Sequence, residues 1–156
     1  MSETNRSEDY YPMPSFPTLD VKDLPASARW YQEALGFRHV FSIPGPTGQP
    51  ALVHLRWTRY ADLLLRQDPS GDLPAVKGKG VTLTFNLLDG GSVDELAARA
   101  RQHGATLVSE PKNQPWNARD FRVTDPDGFT LCFSQGPVDP GLGMERILAR
   151  SAGKEE

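Results

Sequence analysis

The sequence predicts an α+β domain built from two tandem copies of a strand–helix–strand–strand–strand module. Short strands are indicated by alternating apolar residues, and one amphipathic helix lies early in each half. Both halves place these elements in the same order, and they align at one constant offset, so that Gly36 matches Gly104 and residues 63–65 match residues 131–133. A repeat that includes helix caps, helix ends and final strands is typical of two similar packed modules.

The first module spans residues 15–67. Its opening strand is indicated by the alternation in residues 16–21, after which a helix begins with Asp23 as N-cap and Pro25 in the first turn. Gly36 ends this helix, because glycine adopts the left-handed backbone that a helix end requires. Three further strands are predicted at residues 37–43, 51–57 and 61–67.

The second module, residues 80–136, follows a linker at residues 68–79 that is rich in proline and glycine. Its first strand covers residues 81–87, and Ser92 with Glu95 forms a capping box that starts the helix. Three more strands are predicted. The first of them begins at residues 105–109, and the other two cover residues 120–123 and 129–134. Outside the modules, residues 1–14 are expected to form a flexible arm, and residues 137–156 a C-terminal extension with a short helix near residues 142–150.

Composition excludes several classes of protein. The 156 residues are 38% hydrophobic and 24% charged, which is typical of a globular chain, and the net charge of −3 gives no electrostatic attraction to nucleic acid or anionic membranes. The single cysteine, Cys132, rules out an internal disulfide, and the polar start of the chain is unlike a signal peptide. We therefore expect a cytoplasmic protein.

Two segments, residues 19–37 and 116–129, resemble the vicinal oxygen chelate superfamily, which includes glyoxalase I, extradiol dioxygenases and bleomycin-resistance proteins. The first segment carries the helix that ends in Leu-Gly-Phe, and the second carries the Asp-Pro-Asp-Gly turn of a closing hairpin. With the repeat, the resemblance covers residues 15–135. It implies that each module curls its mixed sheet into a cup and that the two cups face each other around a cleft.

Metal-using members of that superfamily place a His, Gln or Glu on the first and last strand of each module. The matching positions here are Phe16, Leu64, Gly80 (or Val81, with a shift of one residue) and Cys132. A divalent cation in such a site needs about three or four nitrogen or oxygen ligands, which these residues do not offer. The resemblance therefore implies a member without a metal or other cofactor, closest to the bleomycin-resistance-like proteins, and disfavours a metal-dependent glyoxalase or dioxygenase-like enzyme.

The residues that we expect to bind a ligand lie on the cup side of strands or in adjoining loops. They are Phe16, His54, Trp57, Asp62, Leu64, Arg66, Trp116, Arg122 and Cys132. The hydroxyl residues Thr82, Thr84, Thr130 and Ser134 are predicted to share the cup side of the second module.

Each of these residues also has a purely structural interpretation. Asp62 and Arg66 flank Leu64 at a spacing of two, so both point into the cup, where they orient a ligand or neutralise each other. His54 can line the pocket or be a core residue, and Cys132 is a buried thiol rather than a nucleophile because no activating base is near it in sequence. Trp116, in a loop before the closing hairpin, either stacks on a planar ligand or packs against the protein.

These expectations predict a homodimeric, metal-independent protein that binds a small hydrophobic or aromatic molecule, such as an antibiotic or a metabolite, and sequesters it. No catalytic residue is assigned. The alternatives are a metal-free lyase, isomerase or cyclase, which would use Asp62, His54 or Asp120 as acid or base, and a metabolite sensor without catalysis.

Overall fold

The computed structural model describes residues 10–71 and 77–154. The chain divides into two compact units, Met1–Ala75 (unit 1) and Val76–Glu156 (unit 2). Unit 1 contains β1 (Thr18–Val21), α1 (Leu24–Leu35), β2 (Arg38–Pro44), β3 (Pro50–Thr58) and β4 (Ala61–Gln67). Unit 2 contains β5 (Thr82–Asn86), α2 (Val93–Gln102), β6 (Thr106–Gln114), β7 (Ala118–Thr124), β8 (Thr130–Gln135) and α3 (Met144–Ser151). The predicted α+β class and the two strand–helix–strand–strand–strand modules are confirmed.

Each unit has one four-stranded mixed sheet with the same topology. The strand order is β1-β4-β3-β2 in unit 1 and β5-β8-β7-β6 in unit 2. The first and last strands of a module pair in parallel, with Leu19 beside Leu65 and Leu83 beside Leu131, and the other pairs are antiparallel. A parallel pair requires a long crossover, which the helix and the two intervening strands of each module provide.

Helix α1 is defined by its caps and by one apolar face. The Asp23 carboxylate accepts a hydrogen bond from the Ala26 N–H at 3.0 Å, and Gly36 takes a φ of 82° at the C-terminal end, so both predicted helix boundaries are confirmed. Side chains spaced by three or four residues, among them Leu24, Tyr31 and Leu35, are buried against the sheet. Burial of each stabilises the fold by about 2 kcal/mol.

Unit 2 repeats this arrangement around an aromatic core. Ser92 caps α2 by accepting a hydrogen bond from the Glu95 N–H at 3.2 Å. Beneath the helix, the ring of Phe133 stacks between those of Phe85 and Phe121, with centroid distances of 5.7 and 5.6 Å. All three rings are buried, so the alternating apolar positions of β5, β7 and β8 form the core that the sequence pattern predicts.

Strand β6 begins within the predicted residues 105–109 and continues to Gln114, five residues beyond Ser109. Pro111 and the polar residues around it interrupt the apolar alternation, so the sequence does not indicate the second half of the strand. The pairing with β7 shifts register twice between Leu107 and Lys112, and β6 lies at the edge of its sheet, where a proline is tolerated. The C-terminal helix is confirmed, although it begins two residues later than predicted and ends one residue later. No helix in the described part of the chain has the length and apolarity to cross a membrane.

Candidate functional site

Strand alternation divides the residues of the unit 1 sheet between two faces. Leu19, Val21, Val53, Leu55, Leu63 and Leu65 are buried on the face that α1 covers. We call the opposite side the distal face of unit 1; it carries Thr18, Asp20, His54, Arg56, Asp62, Leu64 and Arg66. Cross-strand pairing places His54 beside Leu64 and Arg56 beside Asp62, so polar groups from two strands meet there.

Three of these residues, His54, Arg56 and Asp62, form one hydrogen-bonded assembly with Tyr11, and we call these four residues the polar cluster. Oxygen Oδ1 of Asp62 accepts hydrogen bonds from His54 Nε2 and Arg56 Nε, each at 2.6 Å. Oxygen Oδ2 of Asp62 accepts the Tyr11 hydroxyl at 2.6 Å. The exposed fractions of Asp62, His54 and Arg56 are 2, 3 and 5%, so the cluster is a buried charge network rather than a surface ion pair.

The hydrogen bonds of the cluster determine its protonation. Burial acts to raise the pKa of Asp62, but the hydrogen bonds from Tyr11, His54 and Arg56 outweigh burial and hold that pKa below its ordinary value. Burial, and next the hydrogen bond to Asp62, raise the pKa of Tyr11. The cluster therefore holds an ionised carboxylate and a protonated phenol at neutral pH.

One atom of the cluster, Nδ1 of His54, has no partner among the described residues. Nδ1 of His54 is buried and makes no hydrogen bond within the part of the chain that the structure describes. The imidazole is held by Asp62 at Nε2, and the Phe41 ring contacts it edge to face at 5.0 Å. A buried polar atom without a partner costs about 1–3 kcal/mol, and such atoms often mark a place where a ligand or solvent binds.

Asp62 and Arg66 share the distal face, in agreement with the sequence pattern, but they do not neutralise each other. Arg66 makes a bidentate ion pair with Asp20 on the adjacent strand, at 2.6 and 2.9 Å, and this pair is largely exposed. Asp62 instead pairs with the buried Arg56. The two carboxylates of this face therefore have different environments, one exposed to solvent and one buried.

The corresponding distal face of unit 2 carries hydroxyl and thiol groups. Register places Thr82 beside Thr130, and Cys132 beside both Thr84 and Arg122, as the strand alternation predicts. The predicted buried thiol is confirmed: burial, and next the charge of Asp120, raise the pKa of Cys132. Cys132 is therefore a protonated thiol at neutral pH, unsuited to nucleophilic attack.

Three other predicted ligand-binding residues lie in different places. Phe16 precedes β1 and is 40% exposed, and Trp116 lies in the turn between β6 and β7 and is 51% exposed. Trp57 packs on the buried Phe37, with a centroid distance of 5.3 Å, and alternates with Leu55 on the side of α1. The structure therefore does not bring Trp57 together with the polar cluster, because the spacing of three from His54 places the two on opposite faces.

The positions matched to a metal site are also revised. Strand β1 begins at Thr18 and β5 at Thr82, so Phe16 and Gly80 lie ahead of the strands rather than on them. The residues beside Leu64 and Cys132 in the parallel pairs are Thr18 and Thr84. Across residues 10–71 and 77–154, no group of three or more His, Cys, Asp or Glu side chains is arranged to hold a metal ion. Independence from metal remains a prediction for direct measurement.

Two members of the polar cluster, Tyr11 and Arg56, are absent from the predicted site. Arg56 could have been predicted, because it follows His54 by two residues and the short turn after Thr58 places it opposite Asp62. Tyr11 could not, because it precedes β1 in a segment without periodicity.

Comparison with known proteins agrees with this architecture. A family model described as the glyoxalase/bleomycin resistance protein/dioxygenase superfamily matches residues 16–133. No curated protein sequence matches the chain significantly.

Solved structures share the fold over most of the chain. A glyoxalase/bleomycin resistance protein from Streptomyces sp. CB03234 is 25% identical with a TM-score of 0.58, over 77% of this chain and 96% of that one. TioX from Micromonospora sp. ML1 is 22% identical with a TM-score of 0.61, over 77% and 95% of the two chains. A glyoxalase-related enzyme from Fulvimarina pelagi is 24% identical with a TM-score of 0.63, over 86% and 94%.

Proposed function

Because the chain belongs to the glyoxalase/bleomycin resistance protein/dioxygenase superfamily, we propose that it is a metal-independent protein that binds a small hydrophobic or aromatic molecule and sequesters it unchanged. The observation that carries this proposal is the state of Asp62, the most buried carboxylate of the distal face of unit 1. Both of its oxygens already accept hydrogen bonds, from three donors in total. Such a carboxylate orients its neighbours instead of taking a proton from a substrate.

The thiol of Cys132 also favours binding over catalysis. Cys132 is buried and its pKa is raised, whereas a nucleophilic cysteine needs a lowered pKa and access to its substrate. The protein thus has polar groups that recognise a ligand and lacks, in its described part, an obvious activated nucleophile.

Unit 2 carries side chains of the kinds that an aromatic ligand requires. Trp116 is a large exposed ring, and the hydroxyls of Thr82, Thr84 and Thr130 are directed away from the core of unit 2. Aromatic rings with a few polar groups are typical of small-molecule sites. The name of the similar Streptomyces protein, glyoxalase/bleomycin resistance protein, supports the same class of function.

A second candidate is a metal-free lyase, isomerase or cyclase. It is favoured by one observation, the pairing of His54 Nε2 with Asp62 while Nδ1 has no partner among the described residues. A carboxylate that fixes an imidazole in this way is the arrangement of a general base. The two candidates differ in whether the ligand is recovered unchanged.

We further propose that the protein is a homodimer in the cytoplasm. Among the described residues, each sheet ends in two edge strands, β1 and β2 in unit 1 and β5 and β6 in unit 2. Pairing or covering such edges is one reason for sheets to associate.

The test of binding is a thermal-shift screen of the wild-type chain with planar aromatic compounds, bleomycin among them, followed by tryptophan fluorescence titration of each hit. We expect quenching on binding and recovery of the intact compound by mass spectrometry after prolonged incubation. Trp116→Ala should weaken binding by about 1–3 kcal/mol. The matched control is Leu148→Ala, which removes an exposed apolar side chain from α3 and should leave the affinity unchanged.

Recovery of a transformed compound would overturn sequestration in favour of the enzyme. In that case His54→Ala should abolish turnover while binding persists. A screen without any hit among planar aromatic compounds would overturn the proposed ligand class.

A further inference from the structure

The side chain of Tyr11 occupies a well-defined seat on the distal face of unit 1. Its hydroxyl donates to Oδ2 of Asp62 at 2.6 Å and accepts the backbone N–H of Tyr60 at 2.8 Å. The Arg56 guanidinium lies 4.4 Å from the centre of its ring, and the Tyr60 ring meets it edge to face at 5.0 Å. The seat thus combines an acceptor, a donor, a cation and an aromatic edge, a set of contacts that recognises a phenol.

The residues that form the seat lie on β3, β4 and the turn between them, whereas Tyr11, which fills the seat, lies ahead of β1. Arg56 and Asp62 lie on β3 and β4, and Tyr60 is in the turn between those strands. Tyr11 belongs to residues 10–17, a segment without helix or strand whose residues are mostly exposed. The hairpin therefore holds Asp62, Arg56 and Tyr60 in place when the phenol of Tyr11 leaves.

The neighbouring His54 gives a second, independent indication of a ligand at this face. It is 97% buried on Asp62, and its Nδ1 finds no partner in the described chain. With the ring proton on Nε2, Nδ1 is an acceptor, and the Tyr11 hydroxyl does not satisfy it because its proton goes to Asp62. With Tyr11 seated, the cluster thus leaves one buried acceptor unused.

We propose that the seat formed by Arg56, Tyr60 and Asp62 is a phenol-binding subsite, that Tyr11 is its internal occupant, and that a phenolic small molecule binds by displacing Tyr11. The inference rests on the proposed binding function and specifies its ligand class. An attached phenol competes at an effective concentration in the millimolar range, so free phenols bind the wild-type chain weakly. Removal of the internal phenol abolishes this competition and raises the affinity.

The experiment uses the full-length chain and 4-methylphenol, which reproduces the tyrosine side chain, with toluene as the matched probe without a hydroxyl. In calorimetric or NMR titrations, Tyr11→Ala should bind 4-methylphenol about tenfold or more tightly than the wild type does. The same variant should prefer 4-methylphenol to toluene by about tenfold, because toluene gives Oδ2 of Asp62 no donor and the Tyr60 N–H no acceptor. Tyr10→Ala is the control: it removes the neighbouring ring, which contacts Phe41, and should bind like the wild type.

An NMR signal locates the bound probe. The amide resonance of Tyr60, whose N–H donates to Tyr11 in the wild type, should shift in Tyr11→Ala and return towards its wild-type position when 4-methylphenol is added. Equal affinities of wild type and Tyr11→Ala, no preference over toluene, or an unchanged Tyr60 resonance would overturn the proposal.

Tyr11→Phe keeps the ring and removes the hydroxyl, and it replaces Tyr11→Ala if the latter does not fold. It should bind 4-methylphenol several-fold more tightly than the wild type, and an equal affinity would again overturn the proposal.

The outcomes separate this proposal from the proposed function. If removal of Tyr11 does not raise the affinity for 4-methylphenol while the wild type still binds aromatic compounds with dependence on Trp116, only the phenol-binding subsite is contradicted. If 4-methylphenol fills the seat but the wild type binds no aromatic compound, the subsite stands and the sequestering function falls.

Discussion

The hydroxyl of Tyr11 lies 2.6 Å from Oδ2 of Asp62, although 51 positions separate the two residues in the chain. This contact connects the segment before the first strand to the distal face of unit 1, beside the turn between β3 and β4. It also makes Asp62 the common acceptor of three donors, so the stability of the cluster depends on one carboxylate.

Asp62→Asn should therefore be strongly destabilising. The change removes the charge of Asp62 from its ion pair with the buried Arg56, and breaking a buried ion pair costs about 3–5 kcal/mol. Urea denaturation measures the loss. The control is Asp20→Asn, which breaks the exposed pair with Arg66 and should cost less than about 1 kcal/mol. Equal losses in the two variants would contradict a special role for the cluster.

Acid should destabilise the wild type through the same group. The pKa of Asp62 is lower in the folded chain than its ordinary value of 3.8, so its contribution is fully present above about pH 4 and is lost as the pH falls through the folded value. The free energy of unfolding should fall less steeply below pH 4 in Asp62→Asn than in the wild type. Parallel curves would show that Asp62 does not titrate in this way.

Tyr11 should affect stability at the alkaline end. Its pKa is raised above the ordinary value of 10.0, so its contribution is present below pH 10 and is lost as the pH rises through the folded value. The difference in unfolding free energy between wild type and Tyr11→Phe should therefore shrink above pH 10. A constant difference up to the alkaline limit of folding would argue against the hydrogen bond.

The thiol of Cys132 should react slowly with alkylating agents in the folded chain. It is buried and its pKa is raised, so both access and thiolate content are low. Labelling by iodoacetamide at pH 8, followed by mass spectrometry, should be about a hundredfold slower than in urea. Rapid labelling of the folded protein would revive the nucleophile interpretation.

Metal content and mass test the two remaining proposals. Elemental analysis after mild purification should find no stoichiometric divalent metal, and about one tightly bound ion per chain would contradict metal independence.

Light scattering at micromolar concentrations should give about twice the chain mass of 17.2 kDa, and a monomer at high concentration would contradict the homodimer.

The fold was largely predictable from the sequence because its signals are local. Asp23, Ser92 and Gly36 fix helix boundaries through the chemistry of one turn, and alternation fixes which strand residues share a face. Strand β6 is the exception, since the pattern indicated only where it begins, and its continuation through Pro111 includes a register shift that no local signal predicts.

The candidate site was predictable only in part, because its contacts are not local. Period two assigned Asp62 and Arg66 to one face, but it did not show that Asp62 pairs with Arg56 and Arg66 with Asp20. Those partners depend on which strands are neighbours. The contact of Tyr11 with Asp62 depends on the shape of the sheet surface, and a periodic pattern in the sequence does not predict that shape.

The parallel pairing of β1 with β4 has a consequence for synthesis on the ribosome. All the strands of the first sheet lie between Thr18 and Gln67, so the complete sheet can leave the exit tunnel before β8 has been translated. Strand β1 must wait for β4, the last strand of its sheet to emerge, and Tyr11 must wait for Asp62. Tyr11 therefore cannot reach its docked position until β4 has emerged.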